Sequence, residues 1–206
     1  ADLHDLDAIE IGLGDLGKHD SYVGRQLKTW YRSWTSSIEG AQMDDSRAHE
    51  LQQFFLDNLP EQRKVHVVHG DYGLHNCLIG PNSTVAAVVD WEISTLGDPL
   101  ADLAYALNSF PDPEDEIPIA PEAATNVPGM PTRSDLIQRY AKRTSRDISN
   151  IDYYYGFNRW KSACIVHGVY ARYMQGNKSS EGVDLEHMRT RIEAALTLAA
   201  QAVNRI

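Results

Sequence analysis

His69-Gly70-Asp71-Tyr72-Gly73-Leu74-His75-Asn76, followed a short distance on by Asp90-Trp91-Glu92, decides the reading of this 206-residue chain. Apolar runs flank both pieces: Val65, Val67 and Val68 before the first, Cys77 to Ile79 after it, and Val85 to Val89 leading into Asp90. Gly80-Pro81-Asn82-Ser83 separates the last two runs, and short apolar runs broken by turn residues predict three short strands. Asp71 and Asn76 then lie five positions apart on a loop between strands, and Asp90 closes the third strand nineteen positions after Asp71. Phosphoryl transfer needs such a set: a carboxylate to accept a hydroxyl proton, and a carboxylate plus an amide oxygen to hold magnesium on phosphate groups. Each residue also has a plainer reading, because Asx side chains in glycine-containing loops often cap their own turns.

Away from this centre the apolar period becomes helical. Val23, Leu27, Trp30 and Trp34 recur over about Asp20 to Ser36, with Asp20 or Ser21 placed to cap. A second helix is expected from Ser46 to Asn58, carrying Leu51, Phe54 and Phe55 on one face, with Pro60 beyond its end. Further helices are expected at about Leu100 to Asn108, Ser134 to Thr144, Ile151 to Met174 and Asp184 to Val203, the last with Leu185, Met188, Ile192, Ala195 and Ala199 on one stripe. The fold class expected is therefore α+β, mainly α, in a chain whose length fits one domain or one lobe of something larger.

The composition is that of a folded protein, 42% hydrophobic and 23% charged. A formal charge of -10, from 29 acids against 19 bases, argues against a nucleic-acid footprint, which needs clustered Lys and Arg, and no apolar run is long enough to span a bilayer. The acidic N-terminus does not resemble an export signal, and Cys77 and Cys164 are too few for a disulfide framework, so a cytoplasmic location is expected. Between Phe110 and Pro131 lie six of the nine prolines with Asp112, Glu114, Asp115, Glu116 and Glu122 and no Lys or Arg. This must be a loop, read either as a solvated excursion or as an acidic flap that attracts a cationic substrate.

The pattern resembles the aminoglycoside phosphotransferase and choline kinase family, related to protein kinases, whose catalytic loop reads His-x-Asp-x-x-x-x-Asn. Gly97-Asp98-Pro99-Leu100-Ala101-Asp102-Leu103-Ala104 is similar to the segment after that family's metal-binding Asp, and the likeness looks strongest to the branch also found fused to acyl-CoA dehydrogenases. The resemblance covers nearly the whole chain and implies a protein-kinase-like C-terminal lobe, helical with a small β-hairpin region. It implies ATP and Mg2+ as cofactors and a small-molecule hydroxyl as acceptor, whether aminoglycoside, choline or hydroxyacyl-like. Carried over by position, Asp71 is the base, Asn76 and Asp90 are the magnesium ligands, and Asp102 is a buried brace accepting backbone N–H bonds from the catalytic loop. Asp102 has the alternative of a helix first-turn acid. His69 is read as holding the loop backbone so that Asp71 is placed, with a direct chemical role as the alternative. Glu92 is a candidate contact for a second magnesium or the acceptor, His75 a candidate to face the acceptor, Asp98 a helix cap and Trp91 a packing residue.

Gly12-Leu13-Gly14-Asp15-Leu16-Gly17 satisfies G-x-G-x-x-G, but no strand bearing a Val-Ala-Ile-Lys type lysine follows it before the loop, so it is read as turn glycines rather than a phosphate cradle. Kinases of this kind cover ATP with a smaller N-terminal lobe. The expectation is that this lobe is absent from these residues and that they alone transfer phosphate poorly. Two other readings stay open: a catalytically silent nucleotide- or ligand-binding module, and a metal-dependent hydrolase on His66, His69, Asp71 and His75. The hydrolase is weakened because His66 and His69, three apart on a strand, point to opposite faces. The long helix with Tyr153, Tyr154, Tyr155, Phe157 and Trp160 either lines an acceptor pocket or is buried on several faces.

Overall fold

A computed structural model describes residues 1–62, 64–115, 117–118 and 123–206. It divides into two compact units, Ala1–Tyr22 with Glu61–Ile151, and Val23–Pro60 with Asp152–Ile206. The fold is α+β and mainly helical: α1 (Asp2–Asp5), α2 (Tyr22–Ala41), α3 (Ser46–Asp57), β1 (His66–Val68), β2 (Cys77–Ile79), β3 (Val85–Val88), β4 (Thr95–Gly97), α4 (Pro99–Leu107), α5 (Arg133–Thr144), α6 (Ile151–Met174) and α7 (Leu185–Val203). Among the described residues no helix is long and apolar enough to cross a membrane.

In the first unit two antiparallel pairs replace the expected run of three strands. β1 pairs with β4, setting Val67 opposite Leu96, and β2 pairs with β3, setting Cys77 opposite Val88. The sequence reading did not contain β4, because Thr95-Leu96-Gly97 offers a single large apolar residue, too little to show a period. That residue nonetheless anchors a small core: Leu96 is fully buried with Val67 and Ala8, and Leu3 and Val65 pack on them. Burying a leucine side chain contributes about 2 kcal/mol. The Gly12–Gly17 stretch lies in turns, and a Cβ on Gly17 would fall 2.8 Å from the Leu96 backbone nitrogen, so this glycine serves close approach of the chain to β4.

α4 starts as its sequence dictates, with Asp98 accepting the Leu100 N–H at 2.8 Å and Pro99 in the first turn. Thr132 and Asp135 form a reciprocal capping box at α5. Two acids of the loop before α5 find partners at the start of that helix. Asp115 makes a bidentate pair with Arg133 at 2.6 and 2.9 Å, and Asp112 accepts from the Ser134 N–H and hydroxyl at 3.1 and 2.6 Å. Glu116 and Glu122 lie outside the described residues.

In the second unit α2 runs to Ala41, five residues beyond the expected end. The Ser36 and Ser37 hydroxyls bond back to the Ser33 carbonyl within the helix, so the serine run does not break it. The helix stops at Gln42, whose φ of 53° is left-handed. On α6 the aromatics are interior on several faces: Tyr153, Tyr154, Tyr155, Phe157 and Trp160 are all buried. The Tyr153 hydroxyl donates to the Phe55 carbonyl at 2.7 Å and Trp160 Nε1 to the Ala48 carbonyl at 3.0 Å, as buried polar tips require.

Candidate active site

The loop from His69 to Asn76 leaves β1 through Gly70, whose φ of +87° lies in the region glycine favours. It ends in a turn of 3-10 helix at Leu74–Asn76 that delivers the chain to β2. This route folds Asn76 back onto Asp71. The Asn76 Nδ2 group donates to the Asp71 carbonyl oxygen at 2.8 Å and to carboxylate Oδ2 at 3.1 Å. With the nitrogen end committed to Asp71, the amide oxygen faces the other way. His75 Nε2 lies 3.5 Å from Asp71 Oδ1.

Burial alone would raise the Asp71 carboxyl. Hydrogen bonds from the Tyr105 hydroxyl and the Asn76 amide, with His75 adding to them, outweigh it and hold the carboxyl below its ordinary value. Asp71 is therefore an ionised acceptor at neutral pH. The same contact, after burial, drives the Tyr105 hydroxyl well above its usual range. The sequence reading missed Tyr105. Its signal was position: it lies three residues after Asp102 on α4, and residues three apart share a helix face.

Asp90 follows β3, whose end is bonded to the end of the loop. The Val89 N–H donates to the Asn76 carbonyl at 2.9 Å, so the residue before Asp90 is bonded directly to Asn76. Asp90 itself takes φ 69° and ψ 50°, left-handed for a non-glycine residue, and its side chain is exposed. Glu92 is exposed on the short 3-10 turn Trp91–Ile93 that follows.

His69 ties both halves together. Its Nε2 donates to the Val89 carbonyl at 3.0 Å and its Nδ1 accepts the Asp71 N–H at 3.3 Å, which sets the neutral Nε2–H tautomer. At 1% exposure, with both nitrogens engaged, this imidazole links the Asp71 backbone to that of Val89. Trp91 packs its ring 4.6 Å from that of His69 and stays 44% exposed. Asp102, on α4, accepts the His69 N–H at 3.0 Å and the Gly70 N–H at 2.7 Å.

Asn76 Oδ1, just before β2, and the Asp90 carboxylate, just after β3, are hard oxygen donors of the kind magnesium takes. The histidines of the hydrolase reading do not gather: His66 Nδ1 meets Arg146 at 3.3 Å and His69 has spent both nitrogens. Among the described residues no cluster of His, Cys, Asp and Glu has the makings of a metal site on its own. A cavity of about 550 Å³ touches the loop at His69, Tyr72 and Gly73, but Asp71, Asn76 and Asp90 do not line it. It is not where a phosphate would meet these groups.

The model of the phosphotransferase enzyme family (APH) matches residues 1–136. Acyl-CoA dehydrogenase family member 11 of Gallus gallus is 35% identical over 188 residues, covering 88% of this chain and 24% of that protein, so the chain spans about a quarter of its relative's length. A Ralstonia eutropha protein provisionally called an aminoglycoside phosphotransferase superposes with a TM-score of 0.79 at 29% identity, over 97% of this chain and 61% of that one. Choline kinase of Cryptosporidium parvum shares the fold, with a TM-score of 0.60 at 11% identity over 98% of this chain and 64% of its own. Spectinomycin phosphotransferase, solved with ADP and spectinomycin, shares it at 0.54 and 14% identity over 97% and 61%. A catalytic-type loop braced by α4 and the match over residues 1–136 make the chain a member of the APH phosphotransferase enzyme family, with a small-molecule kinase-like fold.

Proposed function

We propose that this domain transfers the γ-phosphoryl group of ATP to a hydroxyl of a small molecule. The acceptor oxygen forms a bond to the γ-phosphorus, the bond to the β–γ bridging oxygen breaks with ADP leaving, and the hydroxyl proton passes to the Asp71 carboxylate. A carboxyl held below its ordinary value is a weak base, so its part is to orient the hydroxyl and take the proton late. Asn76 Oδ1 and Asp90 would hold the divalent ion, and a bound magnesium supplies charge neutralisation at the phosphate oxygens. The observation that carries this reading is the double hydrogen bond from the Asn76 amide to Asp71, which fixes the base and aims the amide oxygen away from it.

Positioning and electrostatic stabilisation are most of the catalysis in this chemistry, and among the described residues there is no strand-borne lysine or glycine-rich hairpin to cover the phosphates. We expect the 206 residues alone to turn over ATP slowly and a longer chain supplying such an element to turn it over faster. The acceptor class follows from screening. ATP consumption should depend on an added aminoglycoside, choline or hydroxyacyl thioester and disappear in Asp71→Asn. Metal-independent nucleotide binding without transfer to any hydroxyl would instead favour a silent module.

A further inference from the structure

His4 precedes the catalytic-type loop by 65 positions, counted to His69, yet its ring ends in the loop's brace. His4 Nε2 is 3.0 Å from Asp102 Oδ2, the oxygen that also accepts the His69 N–H, while Oδ1 takes the Gly70 N–H. On the other side, His4 Nδ1 is 2.8 Å from the Tyr140 hydroxyl. His4 and Asp102 are each 5% exposed and Tyr140 6%, so little water competes for these bonds. Burial raises the Asp102 carboxyl, and the His4 hydrogen bond leads the contacts that outweigh this and keep it ionised. An ionised Asp102 requires Nε2 to carry a proton, and in the neutral ring the Tyr140 hydroxyl then donates to Nδ1. Asp102 thereby sets the tautomer, and the Tyr140 hydroxyl holds the ring from its far nitrogen. Arg146 holds α1 in place, donating to the His4 carbonyl at 2.6 Å and pairing with Asp5 at 2.6 Å.

We propose that His4, set by Tyr140, is a positioning residue for Asp71, acting through the two backbone bonds by which Asp102 holds His69 and Gly70. Each carboxylate oxygen of Asp102 takes one backbone N–H, and the His4 donor adds a third bond, on Oδ2, from a separate helix. The third bond resists tilting of the carboxylate and so steadies the peptide next to Asp71. The role in phosphoryl transfer rests on the function proposed above; the geometry of the relay does not.

The test measures amide exchange at His69 and Gly70 together with steady-state kinetics, in the intact protein and in His4→Ala, His4→Gln and Tyr140→Phe. The Gln side-chain nitrogen can stand where Nε2 stands. His4→Ala is expected to speed exchange of both amides about tenfold and to lower kcat about tenfold, with KM for ATP within about twofold. His4→Gln should return both readouts to within about threefold of wild type, and Tyr140→Phe should fall between. If His4→Ala does not fold, Tyr140→Phe carries the test, a loss of about threefold in kcat with faster exchange being the expected result. Wild-type exchange in the folded variants, or faster exchange with unchanged kcat in an active protein, overturns the proposal. Exchange needs no nucleotide. Faster exchange in His4→Ala, when the wild-type protein itself transfers no phosphate, therefore counts against the transferase reading alone.

Discussion

The Asn76 side chain donates twice to Asp71, at 2.8 Å to its carbonyl oxygen and at 3.1 Å to its carboxylate. One amide thus closes the loop and turns its oxygen away from Asp71, in a residue only 7% exposed. Asn76→Ala should remove both functions, lowering kcat on the order of a hundredfold and weakening magnesium dependence. Asn76→Asp keeps an oxygen in place of Oδ1 but places a second carboxylate beside Asp71, where like charges repel. It should lose the loop closure, retain part of the metal response, and show a rate between wild type and Asn76→Ala at raised magnesium. Equal rates for the two variants at every magnesium concentration would mean that Asn76 does not bind the ion.

Tyr105 gives Asp71 a pH signature. Because the folded carboxyl is depressed below 3.8, its contribution to stability is present above 3.8 and is lost as pH falls through the lower, folded value. Asp71 is consequently charged throughout the neutral range and should produce no acid limb in kcat above about pH 5. Tyr105→Phe removes one donor and leaves burial to raise the carboxyl. The acid limb should then move upward and kcat fall about tenfold, the usual worth of a hydrogen bond to a charged group. A pH–rate profile of the two proteins checks this, and superimposable profiles would remove Tyr105 from the site.

The left-handed backbone of Asp90 separates strain from ligation. A side chain other than glycine or Asx in this conformation costs about 1 to 2 kcal/mol. Asp90→Asn should keep wild-type stability, Asp90→Gly should match or exceed it, and Asp90→Ala should lose about 1 kcal/mol in denaturant unfolding. All three should lose phosphoryl transfer, because none restores the carboxylate. Activity surviving in Asp90→Asn would contradict the ligand role.

His167 predicts a pH-dependent stability in the second unit. Its ring is 1% exposed, stacked 3.8 Å from Trp34 and 2.9 Å from the Ser37 hydroxyl, and burial lowers its pKa from 6.5 to about 4 although Asp45 pulls the other way. The unfolded chain takes up this proton as pH falls through 6.5 and the folded chain does not until about 4, so the stabilisation is complete above 6.5 and is lost between those values. Between pH 7 and pH 5 this amounts to about 2 kcal/mol. His167→Phe keeps an aromatic ring against Trp34 and should flatten that dependence in urea unfolding at the two pH values. An undiminished slope would place the proton uptake elsewhere.

Local chemistry explains what the sequence made legible. The cap at Asp98, the limits of α6, and the spacing that puts Asn76 back on Asp71 all depend on residues within a few positions of one another. What escaped depends on distant pairing. β4 is visible only beside β1, and His4 meets Asp102 across 98 positions with nothing local to announce it. The acidic loop was ambiguous because charge alone does not say whether an acid faces water or a partner such as Arg133. Aromatic residues on all sides of α6 allowed a pocket or a buried helix, and the surrounding helices decided for burial.

The most direct measurement is binding of Mn2+·ATP by electron paramagnetic resonance in the intact protein and in Asp71→Asn, Asn76→Ala and Asp90→Asn. If Asn76 and Asp90 hold one ion facing the base, the latter two variants should each weaken binding about tenfold or more, while Asp71→Asn binds within about threefold of wild type yet transfers no phosphate. Wild-type affinity in Asp90→Asn and Asn76→Ala, or full transfer by Asp71→Asn, would contradict it.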